Sequence, residues 1–293
     1  MYPSPFDYTA PTTLNDALAA LTSTVGAKIL AGGQSLLPLL KQRLIAPPPL
    51  LVDIAHVADL AGVRETERDV IVKTLLTHAE SAKHPTLGHA VPLLATASSW
   101  VADRQVRQRG TLCGALVNAD PASDECCAVL ALGGAMIARS PHGTRDIPAE
   151  VFFVDGHRSA LQPNEILVEL RVPKRRPGEG WGYEKLGVRG GHSGWAITGV
   201  AAWISMCSGH VTAARIAISG AGRMTTLAHT AAHTLIGTDG SDTAIAEAVD
   251  QASKDIDLVA DMNGSAAYKA QLIHVYARRA LTEAISRAKK ESY

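Results

Sequence analysis

The chain carries no net charge: 28 Lys and Arg balance 28 Asp and Glu. No global field therefore draws it toward nucleic acid or an acidic membrane, and any binding must come from a specific site. Cysteine is scarce, with four residues (Cys113, Cys126, Cys127 and Cys207) at spacings that match no zinc or iron–sulfur pattern. Cys126 and Cys127 are adjacent, which suits neither an ordinary disulfide nor a two-ligand metal turn. No apolar run approaches the length of a membrane span, and the opening MYPSPFDY lacks the basic start and apolar centre of a signal peptide. The expectation is a protein of the reducing cytoplasm with no membrane span. Also missing are a G-x-G-x-x-G fingerprint, a phosphate loop ending in Lys-Ser/Thr, a Ser/His/Asp elbow and a paired-carboxylate arrangement, so hydrolysis has no evident carrier. His229 and His233 lie four apart, yet with no Glu between them and no third ligand nearby they do not predict a metal site.

What is present is a 46% hydrophobic chain of 293 residues, long enough for two domains. Residues 13–24, TLNDALAALTST, have helical apolar spacing, with Thr13 placed to cap. AKILAGG reads as a short buried strand ending at two glycines, SLLPLLKQRL as a helix with Pro38 in its first turn, and LLVDIA as another strand. This order predicts a small α/β unit with parallel strands over residues 1–57. Over 58–177 the pattern predicts a strand entering a helix (DVIVKTLLTHAESAKH) and one helix through VPLLATASSWVADRQVRQRG. A helix followed by two strands then comes from ECCAVLALGGAMIARSPHGTRDIPAEVFF, and EILVELRVP reads as the last strand. KRRPGEG is the strongest linker signal and sets a boundary near residue 177. Beyond it, WGYEKLGVR, AITGVAAWISMC and HVTAARIAISGAG predict a three-stranded antiparallel meander, and two amphipathic helices complete residues 178–293. Trp181 and Trp203 are expected in the core.

Two glycine-bearing turns carry the chemistry. Gly32-Gly33-Gln34-Ser35 follows a strand and opens a helix; Thr111-Leu112-Cys113-Gly114 lies about 80 residues further on. Glycine permits positive φ and close approach, so successive backbone amides in such turns can face one anionic group. Either turn alone is an ordinary strand-to-helix connection.

Together, AGGQSLLP and RQRGTLCGALVNADPASD resemble the FAD-binding subunits of the molybdenum hydroxylases, the family of the carbon monoxide dehydrogenase medium subunit and the xanthine dehydrogenase flavin domain. EILVELRVP, YEKL and GVAAWISM extend the resemblance over essentially the whole chain. It implies an α+β architecture. An FAD-binding PCMH-type domain, akin to vanillyl-alcohol oxidase and built of two subdomains, would precede a carbon monoxide dehydrogenase flavoprotein C-terminal domain with a three-stranded antiparallel sheet plus helices. The resemblance also implies cofactor contacts. Lys28, Ile29, Leu30, Ala31, Gly32, Gly33, Gln34, Ser35 and Leu36 would wrap the pyrophosphate, and Thr111, Gly114 and Ala115 would close it from the other side. Asp124 would be the acidic contact to the nucleotide, with Asp120 in the same segment, and Val101 would touch the cofactor. Leu167 and Lys185 would line the flavin side, and Trp195 would shield a ring face. The second turn departs from the family's T-I-G-G-N by having Cys113 for Gly and Ala115 for Asn. A Cβ at 113 would crowd a backbone that needed positive φ or close phosphate approach, while the absence of a basic neighbour makes Cys113 read as a small buried residue. The loop RGGHSGWA is longer than the family's form and lacks its Asp.

By the same resemblance the chain would carry electrons from two [2Fe–2S] clusters in a small subunit to an external acceptor. A large subunit bearing a molybdenum–molybdopterin cytosine dinucleotide would oxidise the substrate. The expected assembly is a dimer of heterotrimers, and this chain needs no catalytic acid or base and no metal of its own. Two other readings stand beside it: a structural subunit that has lost FAD, and a free-standing flavoprotein oxidase.

Overall fold

A computed structural model of the chain describes residues 2–192 and 194–291. Its first layer is built from β1 (Asp7–Thr9), α1 (Leu14–Ser23), β2 (Lys28–Leu30), α2 (Leu36–Gln42) and β3 (Leu50–Asp53). The strands pair in parallel in the order β1-β3-β2, as the α/β pattern predicted. Thr13 caps α1 by accepting from the Asp16 amide at 3.1 Å, and Ala17, Leu18 and Leu21 face the core. β1 was not visible in the sequence, because Asp-Tyr-Thr has no apolar alternation and both outer residues are polar.

The second layer is a five-stranded antiparallel sheet in the order β4-β5-β10-β6-β7. Its strands are β4 (Val63–Glu65), β5 (Asp69–Lys73), β6 (Ala135–Ser140), β7 (Gly143–Pro148) and β10 (Ile166–Pro173). Between β5 and β6 run α3 (His78–Lys83), α4 (Pro85–Ala90), α5 (Pro92–Trp100), α6 (Arg104–Arg107), α7 (Leu112–Asn118) and α8 (Asp124–Leu132). The single helix predicted over 91–110 is two. Val101 is extended, Ala102 has φ 41°, and Asp103 restarts the chain as a cap by accepting from the Val106 amide at 2.9 Å. Short α9 (Ala149–Phe152) and a ribbon of β8 (Phe153–Asp155) and β9 (Arg158–Ser159) lead into β10.

The C-terminal sheet has four strands rather than the three expected: β11 (Glu179–Gly187), β12 (Ala196–Cys207), β13 (His210–Ser219) and β14 (Thr226–Leu227). The fourth was missed because it is two residues long and pairs only with Ala217 and Ile218. α10 (His229–Leu235), α11 (Asp242–Gln251) and α12 (Ala266–Glu291) follow. α12 lies directly on β11: a Cβ on Gly180 would stand 1.9 Å from the Ala284 carbonyl oxygen, and one on Gly182 2.1 Å from that of Ala280. The other face packs against α8, so that Cys127, Tyr183, Ala201 and Ala217 share one core cluster. Trp181 and Trp203 are half-buried rather than core, and the Arg287 guanidinium sits 3.2 Å above the Trp181 ring. The 174–180 segment is no loose linker. Lys174 pairs with Glu65 at 3.0 Å, the Arg175 amide donates to the Ala90 carbonyl at 2.9 Å, and Gly178 accepts from the Met206 amide at 2.8 Å.

Candidate cofactor site

The edge of the first layer and the start of α7 face each other across a cleft of about 300 Å³, a size within the usual range for small-molecule sites. β2 delivers the chain to Gly32, Gly33 turns it with φ 73°, and the Leu37 amide closes onto the Gly33 carbonyl at 3.0 Å to begin α2. On the facing side, Thr111 caps α7 by accepting from the Gly114 amide at 3.2 Å, which leaves its hydroxyl proton for another acceptor. The two turns touch backbone to backbone. A Cβ on Gly32 would stand 2.2 Å from the Arg109 carbonyl oxygen and 2.8 Å from the Thr111 nitrogen.

The main chain of this cleft suits an anionic ligand. Among the described residues, the amides of Gly32, Gly33, Gln34, Ser35 and Thr111 donate to no protein acceptor. Backbone donors left unpaired side by side are the means by which proteins hold phosphate groups. The far wall comes from the ribbon and β10, where Arg145 grips Glu165 through two bonds, Nε to Oε1 at 2.6 Å and Nη2 to Oε2 at 2.8 Å. That guanidinium holds the Glu165 carboxyl below its ordinary value of 4.5. Cys113 does not crowd the turn. It stands in the first turn of α7 outside the positive-φ residues, with its thiol buried and pushed up to about 12 by loss of solvent. A thiol so placed is a poor nucleophile.

Residues 4–175 match the FAD binding domain in molybdopterin dehydrogenase, and residues 183–284 match the CO dehydrogenase flavoprotein C-terminal domain. The chain belongs to the flavin-binding medium subunits of the molybdenum hydroxylases. It is 36% identical over 296 residues to the 6-hydroxypseudooxynicotine dehydrogenase complex subunit alpha of Paenarthrobacter nicotinovorans, covering 100% of this chain and 99% of that one. It is 33% identical over 288 residues to the carbon monoxide dehydrogenase medium chain of Hydrogenophaga pseudoflava, covering 98% and 99%. The solved structure of carbon monoxide dehydrogenase from Hydrogenophaga pseudoflava contains a chain that superposes with a TM-score of 0.94 at 35% identity, covering 98% and 99%. The two-part α+β fold is thus that of an oxidoreductase medium subunit.

Within this medium subunit, the residues carried over from the family divide into two groups. Lys28 through Leu36, Thr111, Gly114, Ala115 and Leu167 all line the cleft. Val101, Asp120, Asp124, Lys185 and Trp195 do not. Asp120 shapes a turn, accepting from the Ala122 amide at 2.9 Å. The Val101 carbonyl accepts from the Arg107 guanidinium at 2.7 Å. Asp124 and Lys185 are buried against each other, with Nζ 2.8 Å from Oδ2 and the Tyr183 hydroxyl 2.5 Å from Oδ1. Burial raises the Asp124 carboxyl above its ordinary value, against the opposing pull of Lys185 and Tyr183. Lys185 also donates to the carbonyls of Trp100 and Gly194 at 2.9 Å each, tying α5 and the 188–195 loop to β11. Trp195 is 65% exposed on that loop, and His192 from the same loop stacks on Trp100 with ring centroids 3.5 Å apart. Sequence reasoning missed Thr74 and His78 on the cleft wall. Thr77 and Glu80 form a capping box that marks where α3 starts, but nothing local signals which way His78 faces.

Proposed function

We propose that this chain holds FAD between its two glycine-bearing turns and serves as the electron-transfer subunit of a heterotrimeric molybdenum hydroxylase. The observation that carries the reading is the row of unpaired amides from Gly32 to Ser35 facing Thr111, in a chain of this family. FAD, when bound, supplies a carrier able to take up and release electrons between iron–sulfur clusters and an external acceptor. The chain's own part is to bind and orient. The 32–35 amides and the Thr111 hydroxyl donate to the diphosphate, Leu167 offers an apolar wall, and the Asp124–Lys185 pair keeps the sheet and α8 in register behind the second turn.

A small subunit with two [2Fe–2S] clusters would deliver electrons, and a large subunit with the molybdenum–molybdopterin cytosine dinucleotide would oxidise the substrate. Names such as "complex subunit alpha" and "medium chain" among the relatives support a multi-subunit assembly. We place that assembly in the cytoplasm as a dimer of heterotrimers, with the chain's two domains meeting near residue 177. Among the described residues no helix is long and apolar enough to cross a membrane.

Flavin retention tests the cleft. Gly33→Val forces a β-branched residue into φ 73° with its Cβ 2.8 Å from Leu37 Cδ1. The variant should be recovered folded and free of FAD. A Gly33→Val chain that kept full flavin content would remove the cleft from consideration.

A further inference from the structure

His78 packs against Gly110 at the second turn and has one ring nitrogen committed and one open. The side chain is 6% exposed. Its Nδ1 is 2.7 Å from Oε1 of Glu125, a fully buried carboxylate on α8. The Ser98 hydroxyl donates to the same Oε1 at 2.8 Å, and Ser81 and Ser98 are joined by a 2.9 Å hydroxyl bond. The bond with Glu125 commits Nδ1 and fixes the ring orientation. Nε2 has no protein partner among the described residues, and the ring lines the cleft.

Where that open nitrogen sits decides its use. A Cβ on Gly110 would stand 2.7 Å from His78 Nε2, and the same Gly110 Cα lies 2.7 Å from where a Cβ on Gly32 would be. The His78 amide donates to the Gly110 carbonyl at 2.9 Å, so ring and turn are held together at both ends. The ring edge carrying the open nitrogen thus packs against Gly110, the residue that Gly32 touches, and lines the same cleft as the unpaired amides.

We propose that His78 is a further cofactor-binding residue. Its Nε2 donates a hydrogen bond to the diphosphate of FAD beside Gly110, while Glu125, itself held by the Ser98 hydroxyl, holds the opposite nitrogen. The proposal rests on the FAD reading above.

Two substitutions and one spectroscopic measurement on the deflavinated full chain test this. His78→Asn reproduces the Nδ1 bond to Glu125 but falls short of Nε2, whereas His78→Gln reaches the Nε2 position. His78→Asn should weaken FAD about ten- to hundredfold, the loss expected for one charge-assisted bond. ADP should weaken by the same factor and adenosine, which has no phosphate, should be unaffected. His78→Gln should recover most of the lost affinity. Equal FAD and ADP affinities in His78→Asn and the parent chain would overturn the proposal, as would an equal loss for adenosine. Should His78→Asn not fold, imidazole ¹⁵N spectra of the parent chain decide: the His78 Nε2 signal should shift on adding ADP and not on adding adenosine, and a signal that ADP leaves unchanged would overturn the assignment. A parent chain that binds neither FAD nor ADP would instead sink the FAD reading itself.

Discussion

The two turns that frame the cleft are built in opposite ways. The first, Gly32 to Ser35, is a product of its own main chain: a positive φ at Gly33, a closing bond from Leu37, and no side-chain cap from Ser35. Gln34 reaches no further than the Gly32 carbonyl, at 3.3 Å. The second turn is held from behind by distant parts of the chain. Thr77 bridges to Thr111, Leu112 donates to the Leu76 carbonyl at 3.0 Å, and His78 packs beneath Gly110. Glu125 and Asp124 of α8, the latter paired with Lys185 of β11, stand behind these contacts. A site made this way has one wall fixed by local geometry and one positioned by the packed core. The first wall leaves amides unpaired for a ligand, and the second sets how far away the opposite donors stand.

The sharpest way to break the comparison is to push the walls apart. Gly32→Val places a side chain where the Arg109 carbonyl and the Gly110 backbone already are, 2.2 and 2.7 Å from its Cβ. Flavin affinity should fall by two orders of magnitude or more, roughly the loss of several hydrogen bonds, measured by equilibrium dialysis. Retained affinity would mean that the turns need not touch. Next in size, Lys185→Met leaves the buried Asp124 without its cation, a loss of about 3–5 kcal/mol in urea unfolding. Amide exchange should quicken around the second turn and α8 while the first turn is little changed. Equal loosening of both turns would contradict the difference in their construction.

The smallest effect concerns the far wall. Glu165 has its folded carboxyl below the ordinary value of 4.5, chiefly through Arg145. The pair's contribution is therefore present above that ordinary value and is lost as pH falls through the lowered folded value. Arg145 is 44% exposed, so screening keeps the effect below about 1 kcal/mol. Melting temperatures taken from about pH 7 to about pH 3 should show a flatter acid limb in Glu165→Gln than in the parent chain. A steeper limb would reverse the assigned sign.

Legibility followed the same divide. Thr13 and the apolar spacing after it placed α1 because a cap and its helix lie within a few residues. Gly32-Gly33 before an apolar helix located the first turn for the same reason. The break at Val101–Asp103 was hidden, since the apolar pattern of α5 runs on into α6 and only the Asp103 cap and the Arg107 bonds to the Val101 and Ala102 carbonyls interrupt it. Cys113, where the family pattern has glycine, is helical and buried in the folded chain, as its lack of a basic neighbour suggests for a small buried residue. Asp124 and Lys185 are expected from the family at the nucleotide and the flavin side, yet neither lines the cleft, and no stretch of sequence pairs them with each other.

By itself, then, the sequence determined α1, the parallel β2 and β3 of the first layer and the position of both glycine-bearing turns, because each depends on dihedral preferences and periodicity within a few residues. Only the tertiary structure decided that the turns meet at Gly32 and Gly110, that Lys185 neutralises Asp124 across 61 positions, and that His78 is held by Glu125 across 47. Those pairings depend on how α3, α5 and α8 pack between the two sheets. That packing is set by the burial of apolar surface over the whole chain, which no short stretch encodes.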